Sequence, residues 1–411
     1  MQDSIKRVSL KFSIPLLGVL FFHLLCESMV VPILVPMLTN PPSSSLDLLA
    51  GHSIATRNLL YGIVLASYPI CVFLFAPIIG AYSDSIGRRK ILLFAIAISA
   101  FACAFHTVGV IALSFSIFLI SRCILGASAG IDGSIQAALV ARCSSENQKN
   151  FYLGATLLAM SLGFMVGPAF SAIFIDDNAS VFIWSLPFFF CAIFFLFCLI
   201  VLFISLPKDS IKISKSERPK VLRIFGDISD LFKDTHTRPL LWIFILTQTA
   251  SGCFTAALPL ILDSDYGFSP RMLAFFISVG GVFAGLIFTP IGPFLLKKFS
   301  GMNVLRFSIF TTLAILTIPF FDVGIFIWII PPIMSFAFPL GYYTSVSMFS
   351  QASSESRRGW VLSILSGLWG LTVGIGLFLC GLLGMFDVIY ALIFSLLIVM
   401  FAIPFAFVKS H

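Results

Sequence analysis

The chain has 411 residues, of which 59% are hydrophobic and 10% charged, with a formal charge of +7. Soluble domains carry about 25% charged residues, so there are too few charges here to cover a water-facing surface of this size. Nucleic-acid binding is excluded too, because it needs a basic face, whereas these Lys and Arg sit in short segments between apolar runs.

The apolar runs predict twelve membrane helices, at 12–38, 59–80, 91–112, 114–140, 151–175, 181–206, 239–262, 272–296, 304–321, 324–349, 360–384 and 386–408. Each can cross about 30 Å of hydrocarbon. The first run continues past Pro15 to Leu38, too long for a signal-peptide core, and is read as the first span. An even number of spans puts both termini on one side. With that side cytoplasmic, 22 of the Lys and Arg lie inside and only Arg57 and Arg271 outside, with Arg122 within a span. Such a bias fixes orientation. The expected division is a six-helix bundle over 1–206, a cytoplasmic linker over 207–238 and a second six-helix bundle over 239–411. In the linker, Val221, Phe225, Ile228 and Phe232 recur at three- and four-residue steps, the pattern of an amphipathic helix lying on the inner membrane surface.

The segment after span two reads Gly80-Ala81-Tyr82-Ser83-Asp84-Ser85-Ile86-Gly87-Arg88-Arg89-Lys90. Gly87 permits a tight turn between two spans, Asp84 suits a helix N-terminus, and Arg88 and Arg89 suit the inner surface or a carboxylate. The segment matches the signature G-x-x-x-D-x-x-G-R-R/K, and the chain resembles a secondary transporter of the major facilitator superfamily. That resemblance implies two parallel six-helix repeats around a midplane site. It also implies that Gly80, Asp84, Gly87, Arg88 and Arg89 form a latch between the halves. The matching segment of the second half, Gly292 to Gly301, lacks the Asp, so the latch is expected on one side only.

Span four carries Arg122 and Gly126, then Gly130 and Asp132; span one carries His23 and Glu27. A charge at bilayer depth costs about 2.5–3.5 kcal/mol on insertion scales, so its default reading is functional. Glu27 lies just beyond mid-depth from the cytoplasm, and Arg122 reaches a similar level from the other side. In the superfamily both spans line the cavity, so Glu27 is expected near Arg122. Burial favours a neutral carboxyl and a nearby cation a charged one, and that competition suits a proton carrier. Asp132 reads as a second proton site, a substrate contact or a polar partner of another span. His23 is a further proton-coupling candidate, although a packed histidine with one satisfied nitrogen describes it as well. His106 of span three is read as packing alone.

Span five reads Gly154, eight residues, Gly163, three residues, Gly167-Pro168, two residues, Ser171-Ala172. This resembles G-x8-G-x3-G-P-x2-G-G of the tetracycline-efflux type of drug:proton antiporters, with the last Gly pair replaced. The resemblance implies a smooth face sliding on the other half, expected on Gly281 and Gly285 of span eight. Gln248, Thr249, Tyr342 and Tyr343 are candidate substrate contacts in the second half. The nine Cys show no CxxC spacing, so no metal or cofactor is expected, and no P-loop marks ATP as the driver. The reading is a monomeric, proton-coupled exporter of a small, partly apolar molecule in a bacterial inner membrane. A nutrient-importing symporter and a non-transporting receptor or assembly protein on the same fold are the alternatives.

Overall fold

The structure, a computed structural model, describes residues 10–41, 46–140, 143, 146–175, 180–205, 232–233, 237–321, 324–352 and 358–407. Among them regular structure is helical, with no strand. Twelve helical stretches are long and apolar enough to cross a membrane: Ser13–Leu38, Ile54–Gly80, Arg89–Ile111, Phe115–Gln136, Gly154–Ala172, Val181–Ser205, Arg238–Ser264, Pro270–Lys298, Gly301–Phe320, Gly324–Gln351, Ile364–Leu383 and Val388–Ala406. These are spans one to twelve below, and they match the predicted spans to within five residues. Twelve crossings place Ser13 and Ala406 on one side, called here the terminal end.

Local chemistry explains where the helices begin. Ser53, Ser114, Ser269 and Ser300 each accept a hydrogen bond from the amide three residues on, and Asp387 accepts one from Ile389 N–H. These side chains satisfy amides that a helix start leaves unpaired. Between spans two and three the chain reverses at Gly87 alone, at a φ of 114° open to glycine and strained for other residues. The expected loop over Gly80–Lys90 is therefore corrected: helix runs from Ile54 to Ile86 and restarts at Arg88. The linker's expected amphipathic helix, with Val221, Phe225 and Ile228, lies outside the described residues. Phe232 is described, and its ring meets Trp242 edge-on at 5.4 Å.

Two spans expected to be continuous are interrupted. Span one breaks at Met29, between helices Leu10–Ser28 and Val30–Leu38, where Pro32 has no amide to offer the Ser28 carbonyl. Span four breaks after Phe115–Ala129, and a new helix starts at Asp132. Across this break the bonds shorten to three-residue steps, Gly130 N–H to Ala127 O and Ile131 N–H to Ser128 O.

Packing pairs span one with five, three with six, two with four and eleven, five with eight, and seven with eleven and twelve. The outward faces carry large exposed apolar side chains, such as Phe197, Phe203 and Ile204 on span six. A surface like this is stable against acyl chains and aggregates in water.

Candidate functional site

Spans one and four are linked by two side-chain pairs, each span supplying one acid and one base. Span one offers an acid, Glu27, to the base of span four: Arg122 Nη1 donates to Glu27 Oε2 at 2.7 Å. Span four offers an acid, Asp132, to the base of span one: His23 Nδ1 lies 2.6 Å from Asp132 Oδ1. The two basic side chains have no solvent exposure, whereas Glu27 keeps 19% and Asp132 15%. His23 and Glu27 are about 6 Å apart along their helix, and Arg122 and Asp132 would be about 15 Å apart along an unbroken one. The long Arg122 side chain and the break in span four take up the difference.

Arg122 is held on more than one side. Its Nε donates to Val64 O at 3.5 Å, and its guanidinium lies 5.1 Å from the Tyr68 ring centroid. Its second terminal nitrogen, Nη2, is buried with no hydrogen-bond partner among the described residues. Gly126 and Gly130 bring span two against this face, because a Cβ at either would run into the backbone of Tyr68 or Ala76.

His23 has both ring nitrogens bonded, which corrects the expectation of one. Nε2 lies 2.8 Å from Ser99 Oγ, and Ser99 Oγ lies 2.8 Å from Ser128 Oγ. His106 is the packed histidine: Nδ1 meets Ala102 O at 2.8 Å, Nε2 has no partner among the described residues, and the ring lies against Phe118 and Phe188.

In the second half, Tyr342 sits among aromatic rings of three other spans: Phe244 at 6.0 Å, Phe288 at 6.4 Å and Trp369 at 6.4 Å. Tyr343 approaches Phe288 at 6.5 Å. Gln248 is buried. Thr249 is half-buried, and its backbone carbonyl lies against Gly376.

In the expected latch, Asp84 and Arg88 are placed by backbone only, and their side chains lie outside the described residues. Arg89 Nη2 donates to Phe203 O at 2.8 Å and lies over the Phe203 ring at 5.4 Å. It thus ties the start of span three to the last turn of span six, where helix carbonyls favour a cation. A Cβ on Gly80 would meet no described atom within 4 Å.

The antiporter-type motif packs differently from the expectation. Gly163 and Gly167 face span one, where a Cβ would strike Phe21 O and Ser28 Oγ. Span eight is met by Met165 instead, whose Cα lies 2.6 Å from a Cβ placed on Gly281. Residues 163 and 167 share one helical face, and 165 lies on the opposite one. Gly154 and Gly285 have no such neighbour among the described residues, and Pro168 lies within the helix with its carbonyl bonded by Ser171 Oγ at 2.8 Å.

The sequence profile described as Major Facilitator Superfamily matches residues 16–343. The chain belongs to the Major Facilitator Superfamily. It is a multi-pass membrane transporter, not an enzyme. It is 30% identical over 145 residues to the class D tetracycline resistance protein of Salmonella ordonez, a match covering 35% of this chain and 34% of that protein. It is 23% identical over 332 residues to the quinolone resistance protein NorA of Staphylococcus aureus, covering 80% and 81% of the two chains. The crystal structure of the human organic anion transporter MFSD10 (TETRAN) superposes with a TM-score of 0.68 at 19% identity, covering 96% of this chain and 99% of that one. The chain thus aligns with about a third of the tetracycline resistance relative and most of NorA.

Within this superfamily fold, sequence reading passed over Ser99, Ser128, Tyr68 and the ring set Phe244, Phe288 and Trp369. A hydroxyl or an aromatic ring in a membrane span is too common to stand out. Only the identity of its neighbour makes it part of a site.

Proposed function

We propose that this transporter exports a small, partly apolar molecule, a drug or a metabolite, in exchange for protons. One observation carries the reading: partly accessible Glu27 is the counter-ion of fully buried Arg122 at 2.7 Å. Protonating Glu27 leaves a buried guanidinium without its anion, which is strongly unfavourable unless the surroundings change. A proton arriving at Glu27 is therefore linked to rearrangement around Arg122, and a ligand that interacts differently with the two arrangements is linked to the proton. The rings around Tyr342, with the buried amide of Gln248, suit a molecule with an apolar body and one polar handle.

With the termini cytoplasmic, the far end faces outward. In this reading Gly80, Asp84, Gly87, Arg88 and Arg89 latch the halves at the cytoplasmic end when the transporter opens outward. The two bundles, 1–206 and 239–411, rock about the site as one monomer joined by the 207–238 linker. The membrane is a bacterial inner membrane, in line with the bacterial relatives. The outward direction rests on the tetracycline-resistance-like span five and the resistance names of those relatives.

The test is lumenal pH in everted vesicles, with tetracycline, a quinolone and a set of nucleosides added outside in turn. Export by proton exchange alkalinises the lumen, and Glu27→Gln abolishes the signal. Acidification would make the chain an importing symporter. No response to any of them would remove proton coupling for these compounds.

A further inference from the structure

The His23–Asp132 pair is not needed to neutralise Arg122, which has Glu27. Its surroundings are instead those of a site that gains and loses a proton. It heads a chain of four polar side chains from three spans: Asp132, His23, Ser99 and Ser128, with successive gaps of 2.6, 2.8 and 2.8 Å. His23 and Ser99 are fully buried and Ser128 is 2% exposed, so Asp132 is the member open to water. It is also the first residue of its helix, where the backbone amides favour an anion.

Hydrogen counting separates two states. Ser99 has a single hydroxyl hydrogen but lies within bonding distance of His23 Nε2, Ser128 Oγ and, at 3.1 Å, Ala95 O. When the pair holds the extra proton, imidazolium Nδ1–H donates to the Asp132 carboxylate and Nε2–H donates to Ser99. Ser99 then keeps its own hydrogen for Ala95 or Ser128. When that one proton has gone to water, the remaining imidazole hydrogen belongs on Nδ1, against the carboxylate. Nε2 is then an acceptor, and Ser99 must turn its hydrogen toward it and give up the other bond.

The chain also bridges the break in span four. Ser128 lies before it and Asp132 after it, and His23 connects the two through Ser99. Gain or loss of the proton therefore changes the bonding on both sides of the break.

We propose that His23 and Asp132 form a second proton-binding site, distinct from Glu27, whose occupancy sets the hydrogen bonding across the break in span four. Its part in transport rests on the proton-coupled reading above; binding of the proton itself does not. Glu27 and Arg122, the charged groups beside it, neutralise each other. Among the described residues, the titratable side chains on the neighbouring spans include Tyr68 of span two, which interacts electrostatically with Asp132, Cys103 and His106 of span three, Cys191 of span six and Cys26 of span one. Span five brings none between Gly154 and Ala172. Thiols and phenols ordinarily lose their protons above neutral pH, and His106 is packed among apolar rings.

The proton is the ligand, so the test needs no transport substrate. The full chain is purified with nitrogen-labelled histidine, and its five histidines are followed by nitrogen NMR from about pH 5 to about pH 9, the range in which imidazoles change charge. His23 is assigned by its loss in His23→Gln. Should that variant not fold, replacing His52, His106, His236 and His411 in turn by Gln assigns it by elimination. The expected result is a full imidazolium-to-imidazole transition at His23, ending with the hydrogen on Nδ1, and loss of the charged form across this range in Asp132→Asn. A His23 that stays neutral throughout, or charged throughout, overturns the proposal, as does an Asp132→Asn protein that titrates like the parent. Should Asp132→Asn not fold, the parent titration alone decides. A transition at His23 without any vesicle pH signal would leave this site standing and remove the antiport reading. A vesicle signal without the transition would leave Glu27 as the proton carrier and remove this site.

Discussion

The two ends of the helix bundle are packed in opposite ways. At the far end the halves touch backbone to backbone. A Cβ on Gly62 of span two would lie 2.6 Å from Gly381 Cα of span eleven, Asn58 Nδ2 donates to Gly384 O at 2.7 Å, and Arg271 Nε donates to Ile175 O at 2.7 Å. Asn40 adds a bond to Asp263 at 3.3 Å. Toward the terminal end, Gly80, Gly133 and Gly154 have no described atom within 4 Å of where a Cβ would sit. Among the described glycines, the backbone contact between the two halves at Gly62 and Gly381 lies at the far end. With the termini cytoplasmic, as proposed, this is a state sealed outward.

The strongest way to break this comparison is to exchange a glycine at each end. Gly62→Leu forces a side chain into the Gly381 backbone, and overpacking of this kind costs about 1–3 kcal/mol. The sealed state should become about 5- to 150-fold less populated relative to the opposite one. Maleimide labelling of a cysteine introduced near the far end should rise accordingly. Gly80→Leu should leave that labelling unchanged, because no described atom lies within 4 Å of where its Cβ would sit, yet it should slow transport by blocking closure at the terminal end. Equal labelling in the two variants would remove the distinction.

Gly163→Ala probes packing within the first half. Its Cβ meets Phe21 O of span one, a contact that both states keep if spans one and five move together. The thermal midpoint should fall, at a cost of about 1–3 kcal/mol, with far-end labelling unchanged. A change in labelling would make the contact part of the opening motion.

These contrasts also mark what the sequence can disclose. The twelve spans are legible because apolar length is a one-dimensional property. The approach of Glu27 to Arg122 is legible because depth in a membrane follows from counting residues along antiparallel helices. The glycine motif of span five is legible as a pattern, but not as a contact. Gly163 and Met165 differ by two positions and face opposite neighbours, and only the packed bundle says which neighbour lies where. The break in span one has a visible cause in Pro32. The break in span four has none so plain, since Gly130 and Asp132 are both tolerated inside helices. The role of Ser99 depends on three helices meeting, which no spacing along the chain encodes.

Arg89→Ala tests the terminal end. It removes the bond to Phe203 O that ties spans three and six, and a cation at a helix C-terminus contributes about 0.3–1 kcal/mol. A small fall in thermal midpoint is expected, reversed in large part by Arg89→Lys, which keeps the charge. A larger fall would mean that Arg89 holds more than this helix end.

The smallest expected effect lies at the closed end and depends on pH. Arg57 donates to both carboxylate oxygens of Asp47 at 2.8 and 2.7 Å, and also to Leu38 O and His52 O. The guanidinium holds the Asp47 carboxyl below its ordinary value, with a further contribution from Leu49 N–H. A carboxyl with a lowered value in the folded state adds stability that is fully present above the unfolded value of about 3.9. That stability is lost as the pH falls through the folded value. The pair lies at the end of the bundle with its side chains 11% and 14% exposed, and solvent screening there holds its contribution to about 1 kcal/mol. The thermal midpoint of the parent should therefore fall slightly more than that of Asp47→Asn as the pH is taken below about 4, and the two should differ by a constant amount near neutrality. Parallel curves down to acid pH would mean that the two backbone carbonyls, rather than the carboxylate, keep Arg57 in place at the sealed end.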